Sequence, residues 1–126
     1  MPYTYDHIHL KSADQPKAVA FYRDNLGAKV VDEAERAGRK VTTLQIGGVT
    51  ILLSSGLNDP VLPGSADVHM GLEHFGLKTD NLDRDAKALK AKGVKFLQDV
   101  TQNRPGVKIA FIQAPDNVRI EILERS

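Results

Sequence analysis

The sequence predicts an α+β fold built from two tandem βαβββ modules. The first observation is an internal repeat: Asp-His-Ile-His-Leu-Lys-Ser at 6–12 returns as Glu-His-Phe-Gly-Leu-Lys-Thr at 73–79. The second is that later segments match at nearly the same spacing, so that 27–31 resembles 93–97. Self-similarity over most of a chain indicates two copies of one supersecondary unit.

The first module covers about residues 4–55 and begins with a predicted strand. Alternating side chains at Tyr5–Lys11 indicate a strand with one apolar face. A helix follows, because Asp14 can cap it, Pro16 suits its first turn and Gly27 suits its end. Three more strands are predicted at about 29–34, 39–46 and 49–54, the last two joined by a Gly-Gly hairpin.

The second module covers about residues 71–125 and repeats this order. A strand is predicted at Leu72–Thr79, followed by a helix that Asp80 or Asn81 caps and Gly93 ends. Its remaining strands are expected at about 94–99, 107–113 and 117–124. Residues 56–70 contain several Gly, Pro and Asn residues and are interpreted as the linker, in which His69 is expected to be a surface residue.

Length and composition favour a single soluble domain over residues 1–126. The formal net charge of +1 gives no reason to expect a nucleic-acid partner. Cysteine is absent, which excludes disulfides, thiolate metal ligands and cysteine nucleophiles. No signal peptide and no membrane-spanning apolar run is visible, so a cytoplasmic location is expected and no membrane partner.

Two histidines and one glutamate form the candidate site. His7 and His74 occupy equivalent positions of the repeat, and Glu121 is expected on the last strand between Ile120 and Ile122. A carboxylate in such a strand is costly to bury unless it is paired or bound to a metal. Two imidazoles and a carboxylate, with no sulfur ligand, suit a divalent Fe, Mn, Ni, Co or Zn ion.

Four segments resemble the vicinal oxygen chelate superfamily, also called the glyoxalase/bleomycin resistance/dioxygenase fold. They are Asp-His-Ile-His-Leu at 6–10, Ala-Phe-Tyr-Arg-Asp-Asn-Leu-Gly at 20–27, Glu-His-Phe-Gly-Leu at 73–77 and Ala-Pro-Asp-Asn-Val-Arg-Ile-Glu at 114–121. The similarity covers essentially the whole chain, and it identifies the superfamily without identifying a member.

The resemblance implies that the paired modules form a U-shaped mixed-sheet cleft with a divalent metal at its floor. It places the metal ligands at His7, His74 and Glu121. Short members of this superfamily are typically homodimers whose clefts use modules from both chains. For this chain the cleft is therefore expected to form either within one chain or across a dimer, and to take a small-molecule substrate.

This chain departs from the lactoylglutathione lyase pattern at one ligand position. Those enzymes carry a fourth ligand where the repeat places Leu52, the partner of Glu121, and a leucine cannot bind a metal. His9 shares a strand face with His7. Three roles stay open for it: a substitute ligand, a general acid or base near neutral pH, and a structural histidine.

Three functions follow from the resemblance. The first is a metal-dependent glyoxalase-type lyase or isomerase, in which the metal stabilises an enolate and His9 or Glu121 moves a proton. The second is a non-haem Fe(II) extradiol-type dioxygenase. The third is a drug-binding protein of the bleomycin-resistance kind.

Overall fold

The computed structural model describes Pro2 and residues 4–56 and 58–126. The elements in chain order are β1 (Ile8–Ser12), α1 (Gln15–Leu26), β2 (Lys29–Arg36), β3 (Arg39–Ile46), β4 (Val49–Ser55), β5 (Phe75–Lys78), α2 (Leu82–Ala91), β6 (Phe96–Arg104), β7 (Val107–Ala114) and β8 (Val118–Arg125). A short 3-10 turn at Pro115–Asn117 joins β7 to β8. The chain divides into two compact units, residues 1–60 and 61–126.

Each unit has one helix and one four-stranded mixed sheet. The strand order is β1-β4-β3-β2 in the first unit and β5-β8-β7-β6 in the second. In both, the first strand pairs in parallel with the last, and the other pairs are antiparallel. The predicted α+β fold with two tandem βαβββ modules is confirmed, while the predicted cleft between them stays a prediction.

The helix ends follow the predicted capping residues. The Asp14 side chain accepts a hydrogen bond from the backbone N–H of Lys17 at 3.2 Å, and Gly27 ends α1 with a left-handed φ of 69°. Asn81, rather than Asp80, caps α2 and accepts from the backbone N–H of Arg84 at 3.0 Å. These bonds satisfy backbone groups that a helix terminus leaves unpaired.

Each helix covers one face of its own sheet. The fully buried large side chains of the first unit include Tyr22 on α1 and Leu44, Ile51 and Leu53 on the strands beneath it; those of the second are Leu82, Ile112 and Ile120. Because successive strand residues alternate between faces, the neighbours of these residues lie on the opposite face of each sheet. Among the candidate site residues, His9 and Glu121 lie on that opposite face.

Both first strands begin later than the sequence pattern predicts. Pairing starts at Ile8 in β1 and at Phe75 in β5, so His7 and His74 each immediately precede a strand instead of lying within it. The predicted starts at Tyr5 and Leu72 were therefore wrong. An alternating pattern reflects the directions of successive side chains. Extended backbone has the same alternation even where it is not hydrogen-bonded to a neighbouring strand.

The boundary between the two units falls inside the predicted linker. It lies after Pro60, and Leu57 of that linker lies outside the described residues. Among the helices that the structure describes, none is long and apolar enough to cross a membrane.

Candidate functional site

His7 is held beside a carboxylate at the start of β1. Its Nδ1 lies 2.6 Å from Oδ2 of Asp6, the preceding residue. The Asp6 side chain is 91% exposed and that of His7 is 37% exposed. Because a carboxylate accepts and does not donate, the contact puts a proton on Nδ1 and leaves Nε2 with a lone pair.

His9 lies on β1 directly beside Leu52 of β4. Its Nε2 is 2.7 Å from the hydroxyl oxygen of Ser54, which is itself buried. Burial lowers the pKa of His9, and the positive charges of Lys11 and Arg39 and the neighbouring His7 lower it further. The imidazole is thus favoured in its neutral form, and a metal bond through Nε2 would require giving up the Ser54 contact.

His74 takes the equivalent place before β5 and has more partners. Its Nδ1 is 2.6 Å from Oε1 of Glu73, and its Nε2 is 3.9 Å from Oε1 of Glu121. Its ring lies edge-on to Phe111, with centroids 5.0 Å apart. The second unit therefore brings together two of the predicted ligands, His74 and Glu121, with the free ring nitrogen facing the carboxylate.

A glycine lies directly beside the Glu121 carboxylate. Gly76 pairs with Glu121 across β5 and β8, and a Cβ at Gly76 would lie 3.4 Å from Glu121 Oε1. In the first unit the same register position joins His9 to Leu52. The predicted equivalence of Leu52 and Glu121 is thus confirmed by strand register.

Arg119 links Glu73 to the strand that carries Glu121. Its Nε donates to Glu73 Oε1 at 3.2 Å, and its Nη1 donates to the carbonyl of Ala66 at 3.2 Å. The guanidinium carbon is 4.3 Å from the centroid of the Phe111 ring, and the side chain is only 10% exposed. The hydrogen bond from His74 and the charge of Arg119 lower the pKa of Glu73, so that it stays ionised.

His69 closes the loop before His74. Its Nδ1 lies 2.7 Å from the carbonyl oxygen of Asp67 and its Nε2 lies 2.9 Å from that of Leu72. Carbonyl oxygens only accept, so both contacts are hydrogen bonds only when both nitrogens carry protons. These two bonds raise the pKa of His69. The expectation of a plain surface residue missed this structural role.

The donor chemistry of these residues fits a divalent cation. Two ligands held about 2.1 Å from one ion are roughly 3.0–3.4 Å apart in tetrahedral or octahedral geometry. The separation of 3.9 Å between His74 Nε2 and Glu121 Oε1 is about 0.5–0.9 Å longer than that range. Binding one ion would therefore require these two side chains to move closer together. In the part of the chain that the structure describes, no group of three such side chains is already gathered.

The sequence interpretation overlooked the acidic residue before each histidine. Asp6 and Glu73 are repeat-equivalent, and each bonds Nδ1 of the histidine that follows it. A carboxylate conserved between the two halves of one chain was the available signal. The partner Arg119 had no such signal, because its contact with Glu73 joins residues 46 positions apart.

A family model identifies the class of protein. The Glyoxalase/Bleomycin resistance protein/Dioxygenase superfamily model matches residues 4–122, and the chain belongs to that superfamily.

Curated relatives are distant, and the lactoylglutathione lyases among them are longer than this chain. A probable chloroplastic lactoylglutathione lyase of Arabidopsis thaliana is 26% identical over 94% of this chain, which spans 35% of that protein. The lactoylglutathione lyase of Schizosaccharomyces pombe is 24% identical over 98% of this chain, which spans 45% of it. The uncharacterised protein YwkD of Bacillus subtilis is 26% identical, and the match covers 94% of each chain.

Solved structures share the fold. The fosfomycin resistance protein FosX of Listeria monocytogenes, in complex with Mn(II) and sulfate, superposes with a TM-score of 0.77 at 19% identity, over 100% of this chain and 95% of its own. A V278E mutant of glyoxalase I from Zea mays gives a TM-score of 0.79 at 22% identity, over 95% of this chain and 44% of its own.

Proposed function

We propose that this chain is a divalent-metal-dependent lyase or isomerase of the glyoxalase type. It would act on a small substrate that chelates through neighbouring oxygens. The proposed ligands are His74 and Glu121 of the second unit and His7 of the first, with His7 coming from the same chain or from a second copy in a homodimer. One observation carries the proposal: His74 Nε2 faces the Glu121 carboxylate at 3.9 Å while its Nδ1 is held by Glu73.

Family membership and the donor set support this proposal. Lactoylglutathione lyases are among the curated relatives, although the chain spans less than half of their length. A neighbour of the same fold is a Mn(II) complex, which fits an imidazole and carboxylate donor set. The candidate ions are Fe, Mn, Ni, Co and Zn.

The proposed site residues have two roles, metal binding and proton transfer. A bound divalent ion would polarise the substrate carbonyl as a Lewis acid. His9 is the proposed base, since its lowered pKa keeps the imidazole neutral and ready to accept a proton. Glu121 is the alternative base, because its carboxylate is only 21% exposed and next to Gly76.

A non-haem Fe(II) dioxygenase is the second candidate function. Leu52 carries the observation that favours it, because strand register places a leucine where a fourth ligand would stand. Two histidines and one carboxylate with open positions are typical of Fe(II) oxygenases. A drug-binding protein is the third candidate, and the FosX neighbours support it.

Metal binding and turnover test the proposal together. The purified chain is titrated with Mn²⁺, Ni²⁺, Co²⁺, Zn²⁺ and Fe²⁺ by calorimetry, alongside His74→Ala and Glu121→Gln. The titration gives the number of ions per chain, and light scattering gives the number of chains in each particle. We expect both variants to bind at least about 100-fold more weakly, because they remove direct ligands. The control is Asp83→Asn, which replaces an exposed carboxylate on α2, and this variant should bind the ions as the parent does.

Substrate assays then separate the candidates. Conversion of a hemithioacetal supports the lyase, and oxygen uptake on a catechol with Fe²⁺ supports the dioxygenase. A parent chain that binds none of the five ions would overturn both enzyme proposals.

A further inference from the structure

We infer that Glu73 and Arg119 form a positioning pair that orients the His74 ring toward Glu121. The inference rests on the proposed function in treating His74 as a ligand, but it concerns residues that the ligand set does not include. Neither residue would touch metal or substrate. Each would act by fixing the ring through which His74 binds.

Glu73 fixes which ring nitrogen carries the proton. Its Oε1 lies 2.6 Å from Nδ1 of His74. A carboxylate only accepts, so Nδ1 is the protonated nitrogen and Nε2 keeps its lone pair. Ligating histidines in metal sites commonly use a carboxylate in this way. The tautomer is therefore set before any ligand arrives.

Arg119 fixes the carboxylate in turn. The same Oε1 of Glu73 accepts from Arg119 Nε at 3.2 Å, and the guanidinium is anchored at Ala66 and stacks 4.3 Å from the Phe111 centroid. Phe111 also meets the His74 ring edge-on. His74 is thus held at Nδ1 and along its ring by one connected set of side chains.

The position of Arg119 in the strand links the two proposed ligands. It lies two residues before Glu121 on β8, so both side chains point to the same face of the sheet. The residue that steadies His74 therefore comes from the strand that carries the carboxylate. Displacing Arg119 would therefore change the positions of His74 and Glu121 relative to each other, and not the orientation of only one of them.

The first module supplies a natural comparison without this network. Asp6 bonds Nδ1 of His7 at the same 2.6 Å, but it is 91% exposed where Glu73 is 24% exposed. The repeat position of Arg119 holds Thr50, whose hydroxyl accepts from Gln45 at 2.6 Å. Water competes strongly for an exposed pair, so Asp6 should fix its histidine far less firmly.

The test compares Glu73→Ala with Asp6→Ala as its matched control. Each is measured for Mn²⁺ affinity by calorimetry and for histidine tautomers by 15N NMR without metal, at a pH above histidine titration. We expect Glu73→Ala to weaken Mn²⁺ binding about 10- to 100-fold and to spread His74 over both tautomers. Asp6→Ala should weaken binding less than about fivefold. Glu73→Gln, whose amide oxygen still accepts, should recover part of the loss.

Arg119→Lys is the second variant, and it keeps the charge while removing the planar stack. We expect a loss of affinity between those of Asp6→Ala and Glu73→Ala, with the tautomer less affected. If Glu73→Ala binds Mn²⁺ like the parent and keeps one His74 tautomer, the inference is overturned while the proposed function stands. If the parent binds no metal but Glu73→Ala still redistributes the tautomers, the positioning role is supported and the proposed function fails.

Discussion

The two modules agree on the face that their helices cover and differ on the opposite face. Beneath the helices, Ile51 and Ile120 occupy the same register position and are both fully buried. On the other face, one register pair joins His9 to Leu52 and its counterpart joins Gly76 to Glu121. The duplicated unit has thus kept its core while its site face has diverged.

The difference is a paired exchange at neighbouring positions. In the second unit a glycine lies beside a carboxylate, and a Cβ at Gly76 would lie 3.4 Å from Oε1 of Glu121. In the first unit an imidazole takes the place of the glycine and a leucine takes that of the carboxylate. In the first unit, Nε2 of His9 lies 2.7 Å from the hydroxyl oxygen of Ser54. The repeat-equivalent residue of Ser54 in the second unit is Leu123.

The largest effect on stability should come from the buried sheet face beneath the helices, on which the two units agree. Ile51→Ala and Ile120→Ala each remove a fully buried side chain, and each should lower the free energy of unfolding by about 2–5 kcal/mol. Urea denaturation measures both. Val31→Ala, at a site 55% exposed, is the control and should change stability by less than about 0.5 kcal/mol. A loss below about 1 kcal/mol for either isoleucine would contradict the equivalence of the two cores.

The parts of the fold that follow from local chemistry were predictable from sequence. Asp14, Gly27 and Asn81 cap helices as predicted, because capping depends on a few neighbouring residues. The repeat also gave the correct pairing of Leu52 with Glu121 as equivalent positions. Strand starts at β1 and β5 were wrong, since side-chain alternation continues beyond the last paired residue.

The sequence indicated the residues of the candidate site but did not predict their contacts. The repeat singled out His74 and Glu121, and the structure brings them within 3.9 Å inside the second unit. The bond from Arg119 to Glu73 was not predictable, because it depends on how a loop of the chain packs on β8. The two hydrogen bonds of His69 were not predictable either, because its acceptors are carbonyl groups that every residue carries.

An intermediate effect should come from giving Gly76 and His9, which are repeat-equivalent, the residue type of the other. Gly76→His puts a ring where the Glu121 carboxylate lies, and it should weaken Mn²⁺ binding more than about tenfold. His9→Gly should leave Mn²⁺ affinity within about fivefold, because His9 Nε2 is already bonded to Ser54. Calorimetry measures both affinities.

Gly76→Ala is the control for that exchange. Its Cβ makes an ordinary contact at 3.4 Å, so the variant should bind Mn²⁺ nearly as the parent does. A loss of Mn²⁺ binding in His9→Gly as large as in Gly76→His would instead make His9 a metal ligand.

The smallest effect, and the sharpest contrast, lies in the pH dependence of stability. Two hydrogen bonds to carbonyls raise the pKa of His69, while burial and nearby positive charge lower that of His9. A raised pKa stabilises the fold below the ordinary value of about 6.5 and loses that effect as pH rises through the folded pKa. A lowered pKa acts oppositely: the unfolded chain takes up a proton that the folded chain resists, so acid destabilises the fold.

Thermal unfolding from about pH 5 to about pH 8 separates these two histidines. The charged neighbours of His69 are Glu73, which favours its protonation, and Arg119, which opposes it. His69→Gln should lower Tm most at the acidic end, with the loss shrinking as pH rises. His9→Gln should lower Tm most at the alkaline end, because loss of the Ser54 bond is then not offset by relief of the acid penalty. If the Tm curves of the two variants run parallel with pH, neither the His69 nor the His9 hydrogen bonds depend on protonation. The two units would then differ here in side-chain shape and not in charge.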